Sequence, residues 1–390
     1  MNVLLVEPNY KTTVLPHGLM KIASFHKEQG DDVRYVKGIV YQNTLFNKFK
    51  PDRIYITSLF TYQGKEVIKT VHAYREMYPS ADLQIGGVFA TLMPDYVEAQ
   101  TGIKPHVGLL LDVEDQRPNY ALFPDVDYCL TFTSRGCVRK CKFCAVSKIE
   151  KFTILEHWKR EINKKKSKIV IQDNNFVATP FEHQTAVVKH ILKLDHKPVV
   201  DLNSGIDALI FKEKHAELYS KLNMQYVRTA FDGLYQDGYV QRMLELAKKH
   251  KMSKQGGIIY VLYNFLDKPE DFYYRIKELL KVALGGVSTC AYPMKYSPLD
   301  ALDKKFVGEH WTAHMIKALN ATMEAYYKNR YVSMGGQSLK EFEAIWGKTG
   351  AEFTEKLATA NVLKLKSLHK DSSARNTLDI ETFEDEEDED

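Results

Sequence analysis

At 390 residues, with 44% hydrophobic and 12% aromatic side chains, the chain has room for two or three domains and sizeable cores. No run of about 18 apolar residues occurs, which excludes a membrane-spanning helix. The net charge of +4 conceals a division: Asp371 to Asp390 carries −9, so the remaining body stands at +13. A block of like charge of this kind is expected to be a disordered acidic tail. The basic body points to an anionic substrate, with nucleic acid as a further candidate partner, unless the lysines merely solvate helix faces. The apolar start, Met1 to Val6, gives way at once to Glu7-Pro8 and is too short for a signal peptide. Five cysteines in a chain of this length fit a reducing compartment, and a cytoplasmic location is expected.

Residues Asn2 to Val6 form a short apolar run, the pattern of a strand buried on both faces. His17 to Gln29 reads as a helix with Leu19, Ile22, Ala23 and His26 on one stripe, ended by Gly30. Strands are expected at Val33–Val36, Arg53–Thr57, Leu83–Ile85 and Val107–Leu111, with a helix over Lys65–Tyr78 closed by Pro79. Strands alternating with helices imply a parallel, doubly wound sheet, a Rossmann-like first domain over residues 1–115. Residues 116–127, with Arg117-Pro118-Asn119 and Pro124, read as a linker.

A strand-like run, Tyr128 to Thr133, then leads into Cys137-Val138-Arg139-Lys140-Cys141-Lys142-Phe143-Cys144. Three thiols spaced C-x3-C-x2-C on one loop can wrap a single iron–sulfur cluster. Three ligands on a four-iron cube leave one iron open, which suggests chemistry rather than structure. A zinc site would need a fourth ligand, for which the nearest candidates are Cys129 and His157. Cys129 and Cys290 lie in strand patterns and are expected to be buried apolar side chains. The loop, with an aromatic residue before its last cysteine, resembles the hallmark of the radical S-adenosylmethionine (radical SAM) superfamily. That resemblance implies a 4Fe-4S cluster on Cys137, Cys141 and Cys144, S-adenosylmethionine as cofactor, and Phe143 beside it. It also implies an external electron donor, flavodoxin- or ferredoxin-like.

The first domain resembles the cobalamin-binding-like domain of one branch of this superfamily. The match lies in Pro16-His17-Gly18-Leu19, Gln29-Gly30-Asp31-Asp32-Val33 and Gly86-Gly87-Val88-Phe89-Ala90-Thr91-Leu92-Met93-Pro94. The chain lacks D-x-H-x-x-G, the motif that supplies an axial histidine in many cobalamin proteins, and Phe89 stands where a histidine is common. Cobalamin is therefore left open and is not the favoured cofactor.

From residue 128 to 300 the pattern repeats strand and helix. Strands are expected at Leu130–Ser134, Lys168–Gln172, Val199–Asn203, Tyr226–Phe231, Gly257–Leu262 and Ser288–Tyr292. Helices are expected at Ile154–Lys165, Phe181–Leu194, Lys212–Leu222, Tyr239–His250 and Glu270–Ala283. Six such steps suggest a partial (β/α)6 barrel, the superfamily's fold, with its chemistry at the carboxyl ends of the strands. By resemblance, Asp173 and Asn174 would meet the methionine amino group, Asn203 and Ser204 the ribose, and Arg228 the methionine carboxylate. Gly257 opens the segment that flanks the adenine. An Asx turn at Asp173–Asn174 and a barrel salt bridge at Arg228 remain alternatives.

Beyond Asp300 a helical module is expected over residues 301–370, with helices at His310–Lys328, Ser338–Trp346 and Glu352–Lys366. Its aromatics, Trp311, Tyr326, Tyr327, Tyr331 and Trp346, could stack on bases or pack a core. The function these features imply is a radical SAM enzyme acting on a small-molecule or nucleotide-like substrate. A cobalamin-dependent radical SAM methyltransferase and a non-catalytic, metal-stabilised nucleic-acid-binding module are the alternatives.

Overall fold

Alternation along the first strand builds two cores at once. In β1 (Asn2–Glu7), Val3 and Leu5 pack with Leu19, Ile22 and Ala23 of helix α1 (His17–Glu28). Leu4 and Val6 face the other way, into a cluster with Ile54, Ile56, Val67 and Val71. Side chains on successive strand residues point to opposite faces, so a strand covered on both sides must be apolar throughout. The computed structural model describes residues 1–12, 14–41 and 49–370, and the expected acidic tail lies outside them. Among the described residues two compact units emerge, Met1–Asn163 with Pro298–Lys304, and Lys164–Ser297 with 305–370.

In the first unit β1 is flanked in parallel by β2 (Asp32–Lys37) and β3 (Arg53–Ser58), and β4 (Asp82–Gly87) extends the sheet beyond β3. The order β2-β1-β3-β4 places a switch point between β1 and β3, as in doubly wound sheets. Helix α2 (Gly64–Met77) connects β3 to β4. The strand expected at Val107–Leu111 does not form. His106 N donates to Ile85 O at 2.8 Å, but Gly108 then turns the chain at φ +83° and its N–H goes to Thr91 Oγ1. Two short helices that the sequence pattern did not signal, α3 (Val88–Leu92) and α4 (Pro94–Thr101), follow the Gly86-Gly87 turn.

The unit continues through β5 (Tyr128–Thr131), β6 (Ser134–Arg135), a short helix α5 (Val146–Ile149) and β7 (Thr153–Ile154), with β6 and β7 antiparallel. The helix expected at Ile154–Lys165 is replaced by β7 and a single 3-10 turn at Trp158–Arg160. Tertiary contacts override local preference here. Leu155 N donates to Thr133 O, Trp158 and Ile162 are buried, and the Glu161 carboxylate accepts from Phe132 N.

In the second unit β8 (Lys168–Ile171) pairs in parallel with β9 (Val199–Leu202), and β10 (Val227–Ala230), β11 (Gly257–Tyr263) and β12 (Thr289–Lys295) form a second parallel set. β13 (Val332–Ser333) adds to β12 antiparallel. Helices α6 (Phe181–Leu192), α7 (Glu213–Tyr219), α8 (Tyr239–Lys249) and α9 (Pro269–Leu284) follow successive strands. α9 buries Arg275 completely. Its Nη1 donates to Phe231 O and Leu262 O at the ends of two strands, and Asp267 balances the charge at 2.8 Å.

The C-terminal helices are α10 (Ala313–Tyr326), α11 (Leu339–Trp346), α12 (Gly350–Thr359) and α13 (Val362–Lys370); the last two divide the single helix expected from residue 352. Trp346 and Trp311 are buried, and Trp346 Nε1 donates to Tyr327 OH. These aromatics pack a core.

His215 supplies a pH dependence. Burial, with Lys214 and Lys212 adding to it, lowers its pKa to about 4, and its Nδ1 accepts the Lys212 N–H that starts α7. Below its ordinary pKa, near 6.5, the unfolded chain takes up a proton that the folded chain refuses until about pH 4. Its contribution to stability is therefore full above pH 6.5 and declines as pH falls through that window. Denaturant titrations from pH 7 to 4 should show a shallower loss for His215→Gln than for the parent; equal slopes would assign the loss to other groups.

Candidate metal centre

Tyr120 fixes the strand that leads to the cysteines, since its hydroxyl donates to Leu130 O and accepts from Leu130 N. The antiparallel pair β6–β7 then brings the backbone of Lys151 against Gly136. Gly136 sits at φ +69°, and a Cβ there would lie 2.3 Å from the Lys151 carbonyl carbon. Only glycine satisfies both demands, and the chain beyond it opens into the cysteine loop.

Within the loop, Cys144 N donates to Cys141 O at 3.1 Å, a tight turn that closes the C-x2-C half of the motif. Arg139 N donates to Cys137 Sγ at 3.4 Å. All three cysteines are half-buried and none is in a disulfide. Three accessible thiols, a backbone N–H aimed at sulfur and a pinned loop base fit a thiolate-held cluster. The other two cysteines are unlike them. Cys129 is buried in β5, and Cys290 is buried in β12, where desolvation pushes its thiol up to about 12. His157, a candidate fourth zinc ligand, has its Nδ1 2.7 Å from Asp115 Oδ1.

In the second unit the turn after β8 carries Asp173, buried, and Asn174, half-buried. Their neighbour Asn175 caps the following turn by accepting from Ala178 N and donates to Asp207 Oδ2 at 3.1 Å. After β9, Asn203 N donates to Ile171 O, and exposed Ser204 donates to Gln172 O at 3.1 Å. These bonds tie the turns after β8 and β9 together. Arg228, 5% exposed, makes a bidentate pair with Asp201 at 2.9 and 3.1 Å and donates to Tyr260 OH at 3.2 Å. The salt bridge is thus present, and two of the five guanidinium N–H groups remain beyond these bonds. A Cβ on Gly257 would sit 2.8 Å from Leu244 Cδ2, so close packing of α8 on β11 explains that glycine.

The carboxyl edge of the first sheet is tightly built. Gly87 lies at φ +106°, where a Cβ would meet Ser58 O at 2.1 Å, and Ser58 Oγ donates to Gly86 O and accepts from Ala90 N. Phe89 is fully buried, its ring against Gly64 at the start of α2. The residue that replaces the expected histidine thus belongs to the core. Sequence reasoning did not find Asp201, although an aspartate and an arginine in adjacent apolar strands were its signal.

The parallel α/β architecture is similar to that of solved proteins, which shows a shared fold. One solved structure it resembles is the radical S-adenosylmethionine methyltransferase TsrM from Kitasatospora setae, with cobalamin and a [4Fe-4S] cluster bound; the TM-score is 0.61 over 77% of both chains, at 12% identity. No protein-family model and no curated protein matches the sequence. Among the described residues, no helix is long and apolar enough to cross a membrane.

Proposed function

We propose that this chain is a radical SAM enzyme whose 4Fe-4S cluster is held by Cys137, Cys141 and Cys144. One observation carries the reading: a C-x3-C-x2-C loop pinned at Gly136 within a fold shared with a radical SAM methyltransferase. In this reading residues 1–115 are the Rossmann-like, cobalamin-binding-like domain, 128–300 a partial (β/α)6 barrel and 301–370 a helical module. The parallel sets β8–β9 and β10–β11–β12, each strand followed by a helix or loop crossing, support the barrel.

When bound, such a cluster supplies the electron that cleaves S-adenosylmethionine to methionine and a 5′-deoxyadenosyl radical, which abstracts hydrogen from substrate. The protein's own part is to bind and orient. Asp173 and Asn174 accept from the methionine ammonium, Arg228 offers its remaining N–H groups to the carboxylate, and Asn203 and Ser204 bond the ribose. Phe143 shields the cluster beside Cys144, and the backbone from Gly257 flanks the adenine. The body charge of +13 favours an anionic or nucleotide-like substrate and an acidic flavodoxin- or ferredoxin-like donor.

Replacing Asp173, Asn174 or Asn203 by alanine should weaken S-adenosylmethionine binding while leaving the cluster spectrum unchanged. A hydrogen bond to a charged group contributes roughly 1.5–3 kcal/mol, so equilibrium binding should fall about ten- to a hundredfold. Unchanged affinity in all three variants would place the cofactor elsewhere.

A second reading, a cobalamin-dependent methyltransferase, is favoured by the cobalamin in the TsrM structure. The missing D-x-H-x-x-G and the buried Phe89 argue against an axial histidine from this chain. Protein purified after cobalamin supplementation distinguishes the two by whether it carries corrinoid absorbance.

A further inference from the structure

Helix α1 buries a lysine, and the reason lies at the base of the cysteine loop. Lys21 is 1% exposed, and an unmatched ammonium at such a place would cost several kcal/mol. Its Nζ lies 2.5 Å from Glu161 Oε1 and 3.5 Å from Glu114 Oε1, and donates to Glu114 O. Glu161 is equally buried, and its other oxygen accepts from Phe132 N at 2.7 Å. Glu114 turns both oxygens to Arg135, at 2.8 and 3.2 Å. The Arg135 guanidinium lies 3.6 Å above the Phe132 ring. Arg135 directly precedes Gly136 and Cys137.

Two cations and two carboxylates thus interlock, drawn from α1, the segment before β5, β6 and the turn after β7. The formal charges of these four groups cancel; Glu150, which accepts from Gly136 N beside Arg135, is a further carboxyl at the edge of the cluster, its pKa raised by burial. His17, one turn before Lys21, contributes no charge: burial, with Lys21 and Arg135 nearby, keeps its imidazole neutral, and its Nε2 stands 3.6 Å from Glu161 Oε2. Iron–sulfur potentials respond to charge and hydrogen bonding around the sulfurs. Charges with side chains 13% exposed or less are weakly screened by salt.

We propose that the Lys21–Glu161 and Glu114–Arg135 pairs form a charge-balanced clamp that positions the cysteine loop and sets the reduction potential of the cluster it holds. Lys21 and Glu114 are positioning residues, and the inference rests on the cluster reading above. Balance makes the clamp's effect signed. Glu114→Gln leaves one excess positive charge, which stabilises the reduced cluster. Lys21→Met leaves one excess negative charge, which opposes the added electron. The double variant restores neutrality.

The test is a redox titration of the anaerobically reconstituted full chain, followed by electron paramagnetic resonance of the reduced cluster at matched iron and sulfide content. The midpoint should move positive for Glu114→Gln, negative for Lys21→Met, and return toward the parent in the double variant; Lys21→Arg should keep the parent value. A purely structural role would move both single variants alike or neither, and either result overturns the proposal. If Lys21→Met does not fold, Glu114→Gln decides alone, and a midpoint that stays or moves negative overturns it. A parent protein without iron and sulfide overturns both this inference and the function proposed above. A parent with a cluster but without opposed shifts overturns only the clamp.

Discussion

Replacing Cys137, Cys141 or Cys144 by alanine should each remove the cluster entirely, taking about four irons and four sulfides per chain to near none. The loss should be all or none because, in the proposed reading, three thiolates on one short loop supply every protein bond to the cube. Cys129→Ala and Cys290→Ala should keep the cluster, since both thiols are buried in strands and the Cys290 thiol is held protonated by burial. Their cost should appear as stability alone, on the order of 1 kcal/mol for a small buried side chain. Iron and sulfide analysis with the visible spectrum reads all five variants. Loss of the cluster with Cys129 or Cys290 would mean that the ligand set extends beyond the loop.

Asp201→Ala should destabilise the second unit by about 3–5 kcal/mol. It strands the Arg228 guanidinium, 5% exposed, with the Tyr260 hydroxyl as its remaining side-chain partner in this cluster. Removing both charges, as in Asp201→Leu with Arg228→Met, should recover most of the loss, because the buried pair's attraction roughly offsets its desolvation. Denaturant unfolding of the two variants and the parent measures the difference. A single variant as stable as the parent would show that water reaches Arg228 and that the pair is dispensable. The double variant has a second use: if Arg228 contacts the methionine carboxylate, it should fold yet bind S-adenosylmethionine more weakly.

The parallel strands were legible because each is an apolar run with a turn signal at its end: Asn2 to Val6 and Gly257 to Leu262 lie within observed strands, and the strand expected at Lys168–Gln172 forms over Lys168–Ile171. The cysteine loop was legible because thiol spacing is a local property. What escaped was set by distant partners. Periodicity placed a helix from Ile154, but pairing of Ile154 with Ser134 and burial of Glu161 against Phe132 N and Lys21 made a strand and a turn. Lys21 sits beside the apolar stripe of α1 and reads as solvated, and only the carboxylates at 114 and 161 explain its burial. Glycines carried a second, local demand. Gly87 and Gly257, read toward cofactors, are required by backbone and helix contacts inside the protein.

An open-site cluster on this loop, as proposed, should cleave S-adenosylmethionine. Reconstituted protein, reduced by dithionite under anaerobic conditions with S-adenosylmethionine, should release 5′-deoxyadenosine and methionine in a time-dependent, protein-dependent manner, as followed by chromatography. The three loop-cysteine variants should release none. A protein that carries its full iron and sulfide yet yields no 5′-deoxyadenosine above the variants, or that binds zinc in place of iron, would contradict the radical SAM assignment.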